Sequence, residues 1–228
     1  MRRTRVKICG ITRPQDAAAA AAAGADAIGM VFYPPAERCV SVAEAQSIVA
    51  AVPAFVQTIG LFVNAAPADM ITRALELGLS AIQLHGDETP ETVAALRPLP
   101  VIKALRLTQE NAAEELEQWR NAIAARGLTN LVGIILESSV PDQPIPGGTG
   151  VANDWAMLST IVSNSHLQGL PPWIAAGGLT PETVGGVVSS LHPWAVDVSS
   201  GVEETKREKS PQKMEAFVDA VRKADGCG

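Results

Sequence analysis

The chain has only three cysteines, Cys9, Cys39 and Cys227, and three histidines in its 228 residues. The cysteines are odd in number and stand in no CxxC or Cys/His spacing, so neither a disulfide framework nor a zinc site is indicated. A reducing, cytoplasmic setting is expected. An excess of basic residues is lacking too. The formal net charge of −6 argues against a nucleic-acid-binding face. No apolar run approaches the roughly 18–20 residues of a membrane span, and the basic segment Met1–Val6 is followed by no signal-peptide core. Also missing are the GxxxxGK[ST] loop of nucleoside triphosphate sites and the dinucleotide fingerprint of open doubly wound sheets.

What the sequence does have is alternation. Short apolar runs rich in β-branched residues recur at Val6–Gly10, Ala27–Phe32, Phe55–Val63, Ala81–Gly86, Val101–Leu107, Leu131–Glu137, Trp173–Gly178 and Ala195–Gly201. Each is followed by a helical stretch: Pro14–Ala23, Ala43–Val52, Pro67–Leu77, Pro90–Leu96, Gln109–Arg126, Asn153–Ser163, Pro181–Leu191 and Pro211–Lys223. Thr89-Pro90, Thr180-Pro181 and Ser210-Pro211 supply N-cap chemistry with proline in the first turn. Gly24, Gly78 and Gly127 stand where C-caps belong. Eight βα units in one chain of this length predict a single-domain (β/α)8 TIM barrel over residues 1–228, with 224–228 a disordered tail. The proline-rich stretch Ser138–Pro146 reads as a loop at the C-terminal face, where barrel enzymes place their chemistry.

Strand side chains alternate between faces. If Val6 and Ile8 pack under the helices, Lys7 and Cys9 point into the barrel. The same parity turns Gln83, His85, Asp197 and Ser199 inward, and Lys103 and Glu137 are also expected there. Barrel interiors are normally apolar, and buried charges have to be paired. Neighbouring strands predict the pairs Lys7–Asp197 and Lys103–Glu137, which either serve a reaction or only satisfy each other in the core. A buried thiol such as Cys9 is either inert packing or a base. As a base it requires a pKa below about 8.5, for which Lys7 would supply positive charge.

Three glycine clusters follow late strands: Gly147-Gly148-Thr149-Gly150, Ala176-Gly177-Gly178-Leu179 and Ser199-Ser200-Gly201. Glycine lets backbone N–H groups approach an anion, and the loops after strands seven and eight are the usual phosphate site of a barrel. Gly148, Gly177, Gly178, Ser199, Ser200 and Gly201 are the candidates for a phosphorylated ligand.

Six stretches then carry a resemblance. They are Val6-Lys7-Ile8-Cys9-Gly10-Ile11-Thr12, Gly60-Leu61-Phe62-Val63-Asn64, Ile82-Gln83-Leu84-His85-Gly86-Asp87-Glu88, Gly147-Gly148-Thr149-Gly150 with Asp154-Trp155, Ala176-Gly177-Gly178-Leu179, and Val196-Asp197-Val198-Ser199-Ser200-Gly201-Val202-Glu203. Together, in this order, they resemble the phosphoribosylanthranilate isomerase family of tryptophan biosynthesis over nearly the whole chain. The resemblance implies an Amadori rearrangement of N-(5-phosphoribosyl)anthranilate to 1-(o-carboxyphenylamino)-1-deoxyribulose 5-phosphate, without metal or organic cofactor. It implies Cys9 as the general base and Arg38 at the anthranilate end, where a guanidinium suits a carboxylate. Gln83 and His85 would line the pocket, although His85 could equally be a structural histidine. Asp197 would orient Lys7 or Cys9. The implied partner is a small phosphorylated sugar–anthranilate substrate, not nucleic acid or membrane, and the chain would act as a monomer or homodimer.

The sequence departs from the family in two places. The family acid is an aspartate ending strand six, whereas this chain has Glu137 there, with a longer loop to Gly147. Glu137 is the preferred general acid and Asp142, inside that loop, its rival. Glu203–Lys209 replaces a segment that usually contains glycine and proline. Two other readings compete. A metal-dependent pentose-phosphate epimerase would need His and Asp ligands that three histidines scarcely provide, and a non-catalytic phosphate-ligand barrel would treat Glu137 as a lost acid. A dual-substrate isomerase serving histidine biosynthesis would have a strand-one aspartate in place of Cys9.

Overall fold

The computed structural model describes residues 3–138, 154–163 and 166–226. Eight parallel strands, β1 (Arg5–Ile8), β2 (Ala27–Val31), β3 (Gln57–Phe62), β4 (Ala81–Leu84), β5 (Val101–Leu107), β6 (Leu131–Ser138), β7 (Trp173–Ala175) and β8 (Ala195–Val198), close in sequence order into a barrel. The helices α1 (Pro14–Ala23), α2 (Val42–Ala50), α3 (Pro67–Leu77), α4 (Pro90–Ala95), α5 (Ala112–Arg126), α6 (Trp155–Ser163), α7 (Val184–Leu191) and α8 (Pro211–Ala224) follow the strands in turn. The expected (β/α)8 barrel is therefore present.

Local chemistry explains the helix ends. Prolines 14, 67, 90 and 211 open their helices, where a missing N–H costs nothing. Ser41 and Glu44 cap α2 reciprocally. Gly24, Gly78 and Gly127 close α1, α3 and α5 in the left-handed conformation. The helix expected from Pro181 starts three residues later, because the Thr183 hydroxyl first accepts from the Thr180 N–H in a turn of its own. Of the stretch expected as a tail, Ala224 closes α8 and the Asp225 carboxylate accepts from the N–H and hydroxyl of Thr4, both at 2.7 Å. Cys227 and Gly228 lie outside the described residues.

Two apolar layers hold the barrel. The larger lies between sheet and helices and takes Val6, Ile8, Ile82, Leu84, Val101, Leu105, Leu136, Val196 and Val198 from the strands. The smaller fills the interior with Ala27, Ile59, Ala81, Ile102, Ala104, Ile135, Ile174 and Ala195. Beneath it, Arg5 lies over the Trp194 ring at 4.5 Å from the centroid. Continuing each inward parity toward the strand C-termini reaches Lys7, Cys9, Gln83, His85, Arg106, Glu137 and Asp197, so the upper interior is polar where the lower is apolar.

Strand five corrects one expectation. Ile102 and Ala104 fill the interior, so Lys103 faces outward with Val101 and Leu105. It donates to the Gly86 carbonyl (2.6 Å) and to Glu88 (3.1 Å), and the expected Lys103–Glu137 pair does not form. The run Val101–Leu105 is apolar on both faces, so alternation alone could not orient it.

After β8 the chain makes a short 3-10 turn (Ser200–Val202) and then a small antiparallel hairpin, β9 (Glu203–Thr205) with β10 (Glu208–Lys209). The sequence reading contained no such hairpin.

Candidate active site

Strand register sets the centre of the site. β1 pairs with β8 so that Lys7 and Asp197 are direct partners, and the Lys7 Nζ donates to Asp197 Oδ2 at 2.7 Å. Both side chains are buried, and this expected pair is present. Burial disfavours the ammonium, but Asp197 outweighs it and keeps Lys7 charged. Cys9 follows on the same face. A Cβ placed on Gly29 of β2 would come within 2.9 Å of the Cys9 sulfur and 3.2 Å of Lys7 Nζ. Glycine at that position thus makes room for both groups.

The Cys9 thiol departs from expectation. Burial pushes its pKa up, and Lys7 reverses this only in part because Asp197 raises it again. Most of the Lys7 charge is spent on its carboxylate partner. Glu137 goes the other way. Burial pushes its carboxyl up, but His85, Arg106 and Lys7 together outweigh burial and hold it below the usual range.

His85 connects to Glu137 on one side and to Gln83 on the other. Its Nδ1 is 3.1 Å from the Gln83 amide nitrogen. The two side chains are within hydrogen-bond distance, and which nitrogen of the ring carries a proton sets their roles. Nε2 faces Glu137 Oε2 at 3.5 Å, an ion-pair distance without hydrogen-bond geometry. Among the described residues, three buried polar atoms here find no hydrogen-bond partner: Gln83 Oε1, His85 Nε2 and Asp197 Oδ1. Such atoms are costly to leave unpaired, and a bound polar molecule is one thing that satisfies them.

The two late loops meet beside this cluster. Gly177 and Gly178 both have positive φ, 90° and 66°. Gly201 lies so close to the next loop that a Cβ would stand 1.9 Å from the Leu179 carbonyl oxygen. Only glycine fits, and the loops after β7 and β8 are therefore locked together. Ser199 lies near Gly10, where a Cβ would fall 2.9 Å from its hydroxyl, and Ser200 begins the turn after β8. Gly148 and Asp142 lie outside the described residues.

Arg38 is at the rim and is not free. It forms a two-point ion pair with Glu203, Nε to Oε1 at 2.6 Å and Nη2 to Oε2 at 2.7 Å. Sequence reasoning missed this partner, and it missed Arg106, which stands directly opposite Glu137 in the β5–β6 register and donates to the His85 carbonyl at 3.3 Å. The signal for Arg106 was there: Ile102, Ala104 and Arg106 share one parity. It also gave no role to Glu88, which accepts from the N–H groups of Asn64 (2.8 Å) and Gly86 (2.9 Å) and pairs with Lys103, pinning the loop that follows His85.

A (β/α)8 barrel with ionisable groups gathered at the C-terminal ends of its strands and two interlocked glycine loops beside them has the layout of a barrel enzyme. Comparison with known proteins narrows the class. The family model of N-(5'-phosphoribosyl)anthranilate isomerase matches residues 6–220. The N-(5'-phosphoribosyl)anthranilate isomerase of Pseudomonas fluorescens is 43% identical over 227 residues, covering 100% of both chains. A phosphoribosyl anthranilate isomerase crystallised with reduced 1-(o-carboxyphenylamino)-1-deoxyribulose 5-phosphate is 32% identical, with TM-score 0.79 over 98% of this chain and 99% of that one. A crystal structure of monomers generated from the dimeric enzyme of Thermotoga maritima is 29% identical, with TM-score 0.78 over 96% of this chain and 99% of that one. The chain belongs to the N-(5'-phosphoribosyl)anthranilate isomerase family.

Proposed function

We propose that the protein converts N-(5'-phosphoribosyl)anthranilate to 1-(o-carboxyphenylamino)-1-deoxyribulose 5-phosphate, in tryptophan biosynthesis, with Glu137 as general acid and Cys9 as general base. The observation that carries this reading is the meeting of a thiol, a carboxylate and the Lys7–Asp197 pair at one end of the barrel interior, beside two loops suited to a phosphate.

Glu137 gives a proton to the ribose ring oxygen as the C1–O bond breaks, and the nitrogen lone pair forms a C1=N iminium. The Cys9 thiolate takes the C2 proton. The C–H electrons become the C1=C2 bond, and the iminium electrons return to nitrogen. The enolamine then tautomerises to the C2 ketone: the C2 hydroxyl gives up its proton as the C2=O bond forms, and the C1=C2 electrons take a proton at C1. Gly177, Gly178, Ser199, Ser200 and Gly201 would hold the phosphate, and Asp197 and Gln83 offer unpartnered oxygens to sugar hydroxyls.

The empty site holds its proton in the reverse arrangement, with Cys9 raised toward thiol and Glu137 lowered toward carboxylate. The working form carries the same number of protons, with one moved from sulfur to carboxylate. Substrate brings phosphate and carboxylate anions and excludes water, and both changes push Glu137 upward. Lys7 and the nearby Lys209 favour the thiolate.

We also propose a homodimer. Phe55, on the turn between α2 and β3, is fully exposed at 104% and has φ of 76°. A large apolar ring held in water on a left-handed backbone supports a contact role, and the Thermotoga maritima relative is dimeric. The free thiols of Cys9 and Cys39 support a reducing, cytoplasmic setting.

The fluorescence assay that follows loss of phosphoribosylanthranilate tests the catalytic roles. Cys9→Ser and Glu137→Gln are each expected to cut turnover by about 10²–10⁴, the span of a lost acid or base, while still binding the reduced product analogue. Near-normal turnover in Glu137→Gln would overturn its role and point to Asp142.

A further inference from the structure

A guanidinium offers donors along two edges, one side edge with Nε and Nη2 and one end edge with Nη1 and Nη2. Glu203 fills the side edge of Arg38. The same Glu203 oxygen accepts from Lys209 Nζ at 2.9 Å, and the Lys209 side chain is wholly buried. Lys209 in turn donates to the Ser199 carbonyl at 2.9 Å. A buried triad of this kind adds little net stability over apolar side chains. What it fixes is position, and it carries two positive charges against one negative.

The placement is specific. A Cβ on Gly10 would come within 2.6 Å of Arg38 Cδ and 2.9 Å of the Ser199 hydroxyl, so Arg38 and the phosphate-side loop both press on the residue after Cys9. The hairpin that carries Glu203 also holds the Arg38 loop on both sides. Arg207 donates to the carbonyls of Glu37 (2.6 Å) and Cys39 (3.0 Å), and Lys206 pairs with Glu37 at 2.7 Å. Among the described residues no acceptor occupies the end edge of Arg38, which is left for a further acceptor in a cluster one negative charge short of neutral.

We propose that Glu203 is a positioning residue that sets substrate specificity. It turns the end edge of Arg38 toward the site, so that the enzyme selects a sugar phosphate whose aryl group carries a carboxylate. This rests on the reading that Arg38 meets the anthranilate end of the substrate.

The test compares two substrates, N-(5'-phosphoribosyl)anthranilate and N-(5'-phosphoribosyl)aniline, which lacks the carboxylate. The wild type is expected to prefer the first by about tenfold to a hundredfold in kcat/KM, the value of a charge-assisted carboxylate contact. Arg38→Met should abolish the preference. Glu203→Gln should lower it about tenfold through KM for the carboxylated substrate, with kcat/KM for the aniline compound changing less than about threefold. Glu203→Asp keeps the charge but cannot span both nitrogens, and its preference should fall between wild type and Glu203→Gln; it carries the test if the glutamine variant folds poorly. Equal losses on both substrates, or an intact preference in both Glu203 variants, would overturn the proposal. A wild-type preference that survives in Arg38→Met would instead overturn the placement of the anthranilate end.

Discussion

The floor of the site and its rim use charge in opposite ways. At the rim each charged group already holds a partner: Arg38 and Lys209 share Glu203 and leave one edge of Arg38 for a ligand, Lys206 pairs with Glu37, and Arg13 reaches both Asp16 and Glu208. On the floor each group is satisfied on one side only. Asp197 uses one oxygen on Lys7 and leaves the other bare, Gln83 holds His85 and leaves its oxygen bare, and the Nε2 of His85 faces Glu137 without bonding it. A group with all its bonds made has nothing left for a ligand, and a half-satisfied one does. The rim is built to position and the floor to react.

The largest effect expected outside the acid and base themselves tests the floor. Asp197→Asn strands the Lys7 ammonium in the interior, and a broken buried pair costs about 3–5 kcal/mol. Turnover should fall by at least about a hundredfold because Cys9 loses its ordered neighbour. The double variant Lys7→Met, Asp197→Leu removes the charge problem and should recover most of the melting temperature without recovering turnover. If turnover returns with stability, the pair is only structural and the contrast with the rim collapses.

The pH dependence sharpens the same point. With Glu137 held below the usual carboxylate range and Cys9 above the usual thiol range, the pair holds one proton across all the values between. The fraction with that proton on Glu137 is then constant, and kcat/KM should be flat from about pH 5 to pH 9. It should fall below that window as Cys9 and Glu137 both hold protons, and above it as both lose them. A narrow bell centred near neutrality would show instead that both groups titrate close to pH 7 and that the wide separation is absent.

At the rim the expected effect is smaller. Arg207→Ala removes two hydrogen bonds to the Arg38 loop but no group that meets substrate. At about 1 kcal/mol for each bond, KM should rise several-fold with kcat unchanged. A loss in kcat would place the hairpin among the reacting groups.

How much of this could be read in advance follows the same division. On the floor, strand periodicity was enough: Lys7, Cys9, Gln83, His85, Glu137 and Asp197 all follow from an apolar neighbour that must face the helices. It failed at Lys103 because Val101-Ile102-Lys103-Ala104-Leu105 is apolar on both faces, and Arg106 was lost with it. At the rim no local rule applies. Glu203 lies 165 residues from Arg38, and their contact depends on barrel closure, which brings the ends of β2 and β8 to either side of β1. The hairpin of β9 and β10 is three residues against two, too short to leave a periodic pattern. Its residues look like a solvated charge run until the fold gives each a partner.

The smallest effect lies at the far end of the barrel, where Phe55 is exposed and its backbone left-handed. A bulky residue there costs about 1–2 kcal/mol relative to glycine. Phe55→Gly should therefore stabilise the folded monomer by about 1 kcal/mol. If the ring is a dimer contact, the same change weakens association, and the melting temperature stops rising with protein concentration. The two effects oppose each other at high concentration and separate at low concentration, so a dilution series of melting curves reads both. A variant as concentration-dependent as the wild type would remove Phe55 from the interface, and the strained ring would be left without a purpose on this face.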